Sequence, residues 1–227
     1  MMRILCVSDI VEKFFFDSQE ADKINPDVLV SCGDLPIDYL EFLVTRYNVP
    51  LLYVHGNHDL YDEMVTSNFD GVPFLSRLSK SRFDFGYQFD YRGSFGGVNI
   101  DCKILNVGGI NFVGFDGSYK YNNGPHQFTE EEMSRRVRRV EFRLALRKLL
   151  FGSSVDVVIT HAPPFGIHDG KDLPHRGFKV FLDFMKKYKP RYLLHGHVHI
   201  YDRRESRVTI YEGVRVVNCY GHYVIDL

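Results

Sequence analysis

Five short runs in this chain are almost wholly apolar: residues 4–7, 28–30, 51–54, 155–159 and 192–194. A strand with one wet face alternates polar and apolar residues. A run without alternation must be covered on both faces, which requires a sheet flanked by further layers. Helical spacing fills the gaps: Leu40, Leu43 and Val44 lie within 37–47, and Phe181, Leu182 and Met185 within 178–189. Pro26 and Pro190 stop the preceding segment just before two of the runs. The clearest helix opens at Thr129, with Glu132 three residues on as in a capping box. Met133, Val137, Val140 and Leu144 form its apolar stripe, and Arg135, Arg136, Arg138, Arg139, Arg143, Arg147 and Lys148 its basic side. The fold class expected is α/β.

A length of 227 residues suits one core, so 1–227 reads as a single domain. Within it, 60–128 is a variable region rich in glycine and aromatic residues, with alternating runs at 103–107 and 110–115 that predict antiparallel strands and loops of an inserted or second-sheet region. With 44% hydrophobic and 25% charged residues and a net charge of −1, the chain is neither disordered nor a polycation. Cys6, Cys32, Cys102 and Cys219 form no CxxC pair, which excludes a cysteine zinc ribbon and a disulfide scaffold. No apolar stretch approaches a membrane span, and Ser8 and Asp9 cut short the N-terminal apolar run. A cytoplasmic location with no membrane partner is the expectation.

Each of the five runs delivers a ligand-type residue at its carboxyl end. The first ends in Ser8-Asp9 and the second in Gly33-Asp34. The third ends in Gly56-Asn57-His58-Asp59, the fourth in Thr160-His161, and the fifth in His195-Gly196-His197-Val198-His199. In open α/β sheets that edge binds ligands. Carboxylate, amide oxygen and imidazole are donors for divalent metals, and the set is too large for one ion. Two ions sharing a carboxylate are the natural reading.

In this order the motifs resemble the calcineurin-like metallophosphoesterase superfamily, from Asp9 to His199. Ala162-Pro163-Pro164 and Lys189-Pro190 resemble its small prokaryotic members. The resemblance implies a two-sheet sandwich flanked by helices, in α/β/β/α order. It implies one metal on Asp34, Asn57, His161 and His197, and another on Asp9, Asp34 and His199. The ions would be Mn, Fe or Zn, and a hydroxide bridging them would attack phosphorus. His58 would serve the leaving group as catalytic proton donor, with Asp59 orienting it. Asn57 and His58 would line the substrate site. Apart from the resemblance, the polar loop just after His161, with His168, Asp169, Asp172 and His175, is expected at the mouth of the site, with His175 lining it.

One motif departs from the pattern. The family's first motif is Asp-x-His, and here it reads Asp9-Ile10-Val11. Valine ligates nothing, so the Asp9/His199 site is expected to be the weaker one unless Glu12 substitutes. The function implied is divalent-metal-dependent hydrolysis of phosphate esters, with phosphodiesters favoured. A phosphomonoesterase or protein phosphatase, and a catalytically weak scaffold, remain the alternatives. The substrate expected is a phosphorylated small molecule or nucleotide. Nucleic acid rests on the arginine side of the helix after Thr129 and on base stacking by the aromatic segment 83–91, which reads first as core or a self-association surface, and oligomeric state is left open. His55 and His195 read as packed histidines, while His126 and His222 carry no pattern.

Overall fold

The computed structural model describes residues 1–59, 96–152, 154–202 and 206–227. The aromatic segment 83–91 and the start of the variable region lie outside the described residues. The strands are β1 (Arg3–Ser8), β2 (Val28–Ser31), β3 (Leu51–Tyr53), β4 (Gly97–Asn99), β5 (Ile104–Val107) and β6 (Ile110–Phe115). They continue as β7 (Ser118–Tyr119), β8 (Gln127–Phe128), β9 (Val157–Thr160), β10 (Tyr192–His195), β11 (Val208–Tyr211), β12 (Val214–Asn218) and β13 (Gly221–Asp226).

One sheet has the order β13-β1-β2-β3-β4 and the other β11-β12-β10-β9-β6-β5, with β7-β8 a small ribbon. All five apolar runs are interior strands, paired in parallel with at least one neighbour. Alternate residues of each face opposite ways. In β1, Ile4 and Cys6 face the other sheet and join Val30, Leu52, Phe112, Ile159 and Leu194 in the central layer. Leu5 and Val7 face outward against Phe15, Tyr39, Leu40 and Leu43. On the far side, Phe115, Val158 and Leu193 pack against Met133, Val137, Phe181 and Phe184. The four layers run helix, sheet, sheet, helix, which is why these strands have no polar face. Among the described residues no helix is long and apolar enough to cross a membrane.

Helix Ile37–Tyr47 has the bounds its spacing predicts, and Lys179–Tyr188 falls one residue short at each end of 178–189. Thr129 caps helix Glu130–Phe151 with the full capping box: its side chain accepts from Glu132 N–H, and Glu132 reaches back to Thr129 N–H. Thr129→Ala is expected to lower unfolding stability by about 1 kcal/mol in urea titration, the usual cost of removing such a cap.

Residues 104–115 form the antiparallel hairpin β5–β6, and β6 also pairs in parallel with β9 and is buried along nearly its whole length. The later part of the variable region therefore belongs to the second sheet, as one of its inner strands. One expectation changes: the helix after Thr129 is not simply basic on its outer side. Arg136 turns inward to Asp101 and Arg143 to the Cys102 carbonyl. Phe142, Leu146, Leu149 and Leu150 are exposed between the remaining arginines. All four cysteines are free thiols, and Cys6, Cys32 and Cys219 are buried.

Candidate metal centre

The carboxyl ends of β1, β2, β3, β9 and β10 converge on one edge of the sandwich. Three of the loops that follow turn through left-handed backbone at a motif residue: Asp9 (φ 65), Asp34 (φ 57) and His197 (φ 67). Such a turn reverses the chain within one residue, and Asp tolerates it better than most side chains. The loops are tied to each other. The Gly33 carbonyl accepts the Asp9 N–H, and the Asp9 carboxylate accepts the His197 N–H at 3.0 Å.

His161 is at the centre, with no exposed surface. Its Nδ1 donates to the Cys32 carbonyl at 2.8 Å. That leaves Nε2 pointing between Asn57 Oδ1 at 3.1 Å and Asp34 Oδ2 at 3.3 Å. His197 is built the same way: Nε2 donates to the Pro174 carbonyl at 2.8 Å, which frees Nδ1. A metal-binding imidazole ordinarily gives its other N–H to a carbonyl or carboxylate, which fixes tautomer and ring angle. Ligand atoms of Asp34, His161 and His197 all lie within 4.8 Å of one another. The Asn57 amide is oriented by Nδ2 donating to the Tyr121 hydroxyl at 3.2 Å. This donor set fits a divalent ion, held by Asp34, Asn57, His161 and His197.

The charges agree with the geometry. Burial works against a charged His161, yet Asp34 and Asp9 raise its pKa to about 9. Burial would raise Asp34, but the His161 charge, its hydrogen bond and the His58 N–H outweigh it and hold the carboxyl well below the usual range. Burial, then the charge on His161, push His197 down to about 3. A proton on His161 Nε2 thus stands where this donor set would hold a cation.

The remaining site residues fall at graded distances. Asp9 has a buried side chain whose carboxyl is pushed up by burial. His199 Nε2 lies 3.9 Å from Asp9 Oδ1, and its Nδ1 bonds the Tyr201 hydroxyl at 2.9 Å. Glu12 does not replace the missing first-motif histidine: it pairs with His222 Nδ1, and Val11 is exposed. His58 is exposed, with its backbone N–H donating to Asp34 Oδ1 at 2.9 Å. Asp59 Oδ2 accepts the amides of Gly56 at 2.8 Å and Asp34 at 2.9 Å, so it clamps the second and third motif loops together. Among the described residues no hydrogen bond joins Asp59 to the His58 ring. The two backbone amides claim its carboxylate instead. His175 stands at the mouth, its ring 5.2 Å from that of His197 and its Nδ1 on Asp172.

His195 is wholly buried, bonds the Gly196 carbonyl and His168, and is pushed down to about 3 by burial and then by His168. It supports the fifth motif from beneath. Sequence reasoning misses Tyr121, which carries no motif signal. It also misses Asp116, which has one: it follows the apolar run 110–115 just as the ligands follow theirs.

The calcineurin-like phosphoesterase family model matches residues 2–201. The chain belongs to the calcineurin-like phosphoesterase family. Metal-dependent hydrolysis of phosphoester bonds is the family's chemistry, and Asp34, His161 and His197 in the motif cluster above could hold a metal ion. An uncharacterised protein, MJ1162, of Methanocaldococcus jannaschii is 27% identical over 185 residues, which is 76% of this chain and 69% of that one. Two solved structures share the fold. TT1561 of Thermus thermophilus aligns with a TM-score of 0.58 at 14% identity, over 97% of this chain and 89% of its own. Phosphopantetheinyl hydrolase of Mycobacterium tuberculosis aligns with a TM-score of 0.54 at 16% identity, over 96% and 88%.

Proposed function

We propose that this family member is a phosphodiesterase with a two-ion centre, the stronger ion on Asp34, Asn57, His161 and His197 and the weaker on Asp9, Asp34 and His199. The observation that carries the reading is the convergence of His161 Nε2, Asn57 Oδ1 and Asp34 Oδ2 beside an exposed His58. Bound divalent ions supply charge neutralisation at phosphate oxygens and a water of lowered pKa. The protein's own groups do the rest. As a water oxygen bonds to phosphorus, the ester P–O bond breaks and the leaving oxygen takes a proton from His58. The His58 backbone N–H on Asp34 sets that imidazole at the rim. His175, with a half-exposed side chain at the mouth, can bond the part of the substrate that extends outward.

The diester preference rests on that exposure. His58, His175 and His199 all present surface to solvent, which suits an ester carrying groups on both sides of phosphorus. A scaffold reading has one observation in its favour: Glu12 spends its carboxylate on His222 and leaves the Val11 position without a ligand.

The test is hydrolysis of paired aryl phosphate mono- and diesters with Mn²⁺, wild type beside His58→Ala. A phosphopantetheinyl ester joins the panel because one structural neighbour bears that name. The diester should turn over faster than the monoester, and His58→Ala should lose about 10²–10⁴-fold, the share of a general acid. Faster monoester turnover makes the chain a monoesterase. A metal-loaded wild type as silent as the variant makes it a scaffold.

A further inference from the structure

A second group of ligand-type side chains assembles from residues outside the proposed motif ligands. His55 follows β3 in the first sheet, Asp116 follows β6 in the second, and His126 precedes β8. One ligand atom from each lies within 4.8 Å of the other two. Asp116 Oδ2 is 2.7 Å from His55 Nδ1 and 3.8 Å from His126 Nδ1. The two imidazoles stack with centroids 4.5 Å apart and planes 24° apart, so both present Nδ1 to the same carboxylate oxygen. The other oxygen, Oδ1, accepts the His55 N–H at 2.9 Å and holds the carboxylate in place. His55 and Asp116 are buried, and all three residues line a cavity of about 440 Å³.

Among the described residues, the charge balance of that cavity favours a cation. The arginine among its described lining residues is already committed: Arg136 bonds Asp101 and lies 4.2 Å over the Phe128 ring. Among the described residues, the basic side chains within ion-pair distance of Asp116 are the two imidazoles. An imidazole carries charge only when protonated, and a protonated ring cannot also ligate. Burying a carboxylate without matching positive charge is costly, and a divalent ion removes that cost. Two imidazole nitrogens and one carboxylate oxygen are the donors of three-ligand zinc-type sites, with solvent completing the shell. A tetrahedral ion with bonds of about 2.0–2.1 Å sets its ligand atoms about 3.3 Å apart. The observed 2.7 and 3.8 Å lie on either side of that spacing.

We propose that His55, Asp116 and His126 form a second metal site, separate from the motif centre, for a borderline divalent ion such as Zn²⁺ or Co²⁺. An ion there joins the end of β3 in one sheet to the end of β6 in the other and to the strap before β8. It acts as a cross-link between layers, and its binding stabilises the folded chain by mass action.

The test counts Co²⁺ per full-length chain by equilibrium dialysis after chelator stripping, in wild type and in His126→Asn. Asparagine suits the left-handed backbone at that position (φ 48) and removes the imidazole. The same pair is made in an Asp34→Asn background, where the motif centre is disabled. His126→Asn should hold one Co²⁺ fewer in both backgrounds. Co²⁺ should raise the melting temperature of Asp34→Asn and leave that of the double variant unchanged. Equal cobalt in each pair, or an equal cobalt-induced shift, overturns the proposal. If His126→Asn does not fold by circular dichroism, Asp116→Asn decides on the same counts.

Discussion

Asp34→Asn is expected to leave a folded protein that binds metal poorly at the motif centre and shows no measurable diester turnover. The backbone tolerates the change, because Asp34 sits at φ 57, where asparagine is as acceptable as aspartate. The His58 N–H keeps an oxygen acceptor in place of the carboxylate oxygen it now uses at 2.9 Å. What changes is the group facing His161. The carboxylate oxygen 3.3 Å from Nε2 becomes either a neutral oxygen or an amide N–H₂. In the first case the buried imidazole loses the charge that raises its pKa to about 9. In the second the amide donates to Nε2 and plugs the position where an ion would bind. Residues that merely support a ligand cost about 10–100-fold in metal affinity when lost, and Asp34 is expected to exceed that because it supplies the ligand charge itself. Metal content after dialysis and diester turnover read the effect. Full metal content with full turnover in Asp34→Asn would remove Asp34, and with it this centre, from the mechanism.

The site is legible because its ligands follow buried strands. Runs 4–7, 28–30 and 192–194 carry no polar face, so the first polar residues after each mark the sheet edge. Asp9, Asp34 and His197 all stand there. The same rule placed on 110–115 finds Asp116, but alternation there predicts an antiparallel strand and says nothing of a parallel partner. Pairing of β6 with β9 over a sequence gap of some forty residues is a tertiary choice that local pattern does not carry. The apolar run at 155–159 starts two residues before strand Val157–Thr160. Asp156 still bonds across to both neighbours, its carboxylate accepting the Asn111 N–H and its carbonyl the Arg191 and Tyr192 N–H groups, so the one polar residue of the run anchors the entry to the strand. The basic side of Glu130–Phe151 departs from expectation differently. Charge counts do not say which arginines fold back: Arg136 and Arg143 find partners at Asp101 and the Cys102 carbonyl, over thirty residues upstream. Sequence adjacency pairs Asp59 with His58. The fold gives its carboxylate to two backbone amides, which the turn brings within hydrogen-bond reach.

Gly33→Ala is expected to fail in a way that Asp34→Asn does not, losing both stability and the centre. A Cβ at Gly33 would lie 2.4 Å from Gly56 N, 2.8 Å from Gly56 Cα and 2.9 Å from His161 Nδ1. Two of those atoms are backbone, and neither neighbour can retreat. The Gly56 N–H is held by Asp59 Oδ2 at 2.8 Å, and His161 Nδ1 is held by the Cys32 carbonyl at 2.8 Å. Gly33 itself is pinned, its carbonyl accepting both the Asp9 N–H and the Ser8 hydroxyl at 3.2 Å. Its φ of +98 adds strain for any residue with a Cβ. Left-handed strain of about 1–2 kcal/mol and overpacking of about 1–3 kcal/mol together set an expected loss of about 2–5 kcal/mol, read by urea unfolding. The metal centre goes with it, because the first three motif loops meet at this one residue. Movement of Gly33 shifts Asp9 through its carbonyl, Asp34 through the next peptide, and Asn57 through Gly56. A variant with unchanged urea midpoint and full metal content would show that the loops are held apart by something other than the missing side chain.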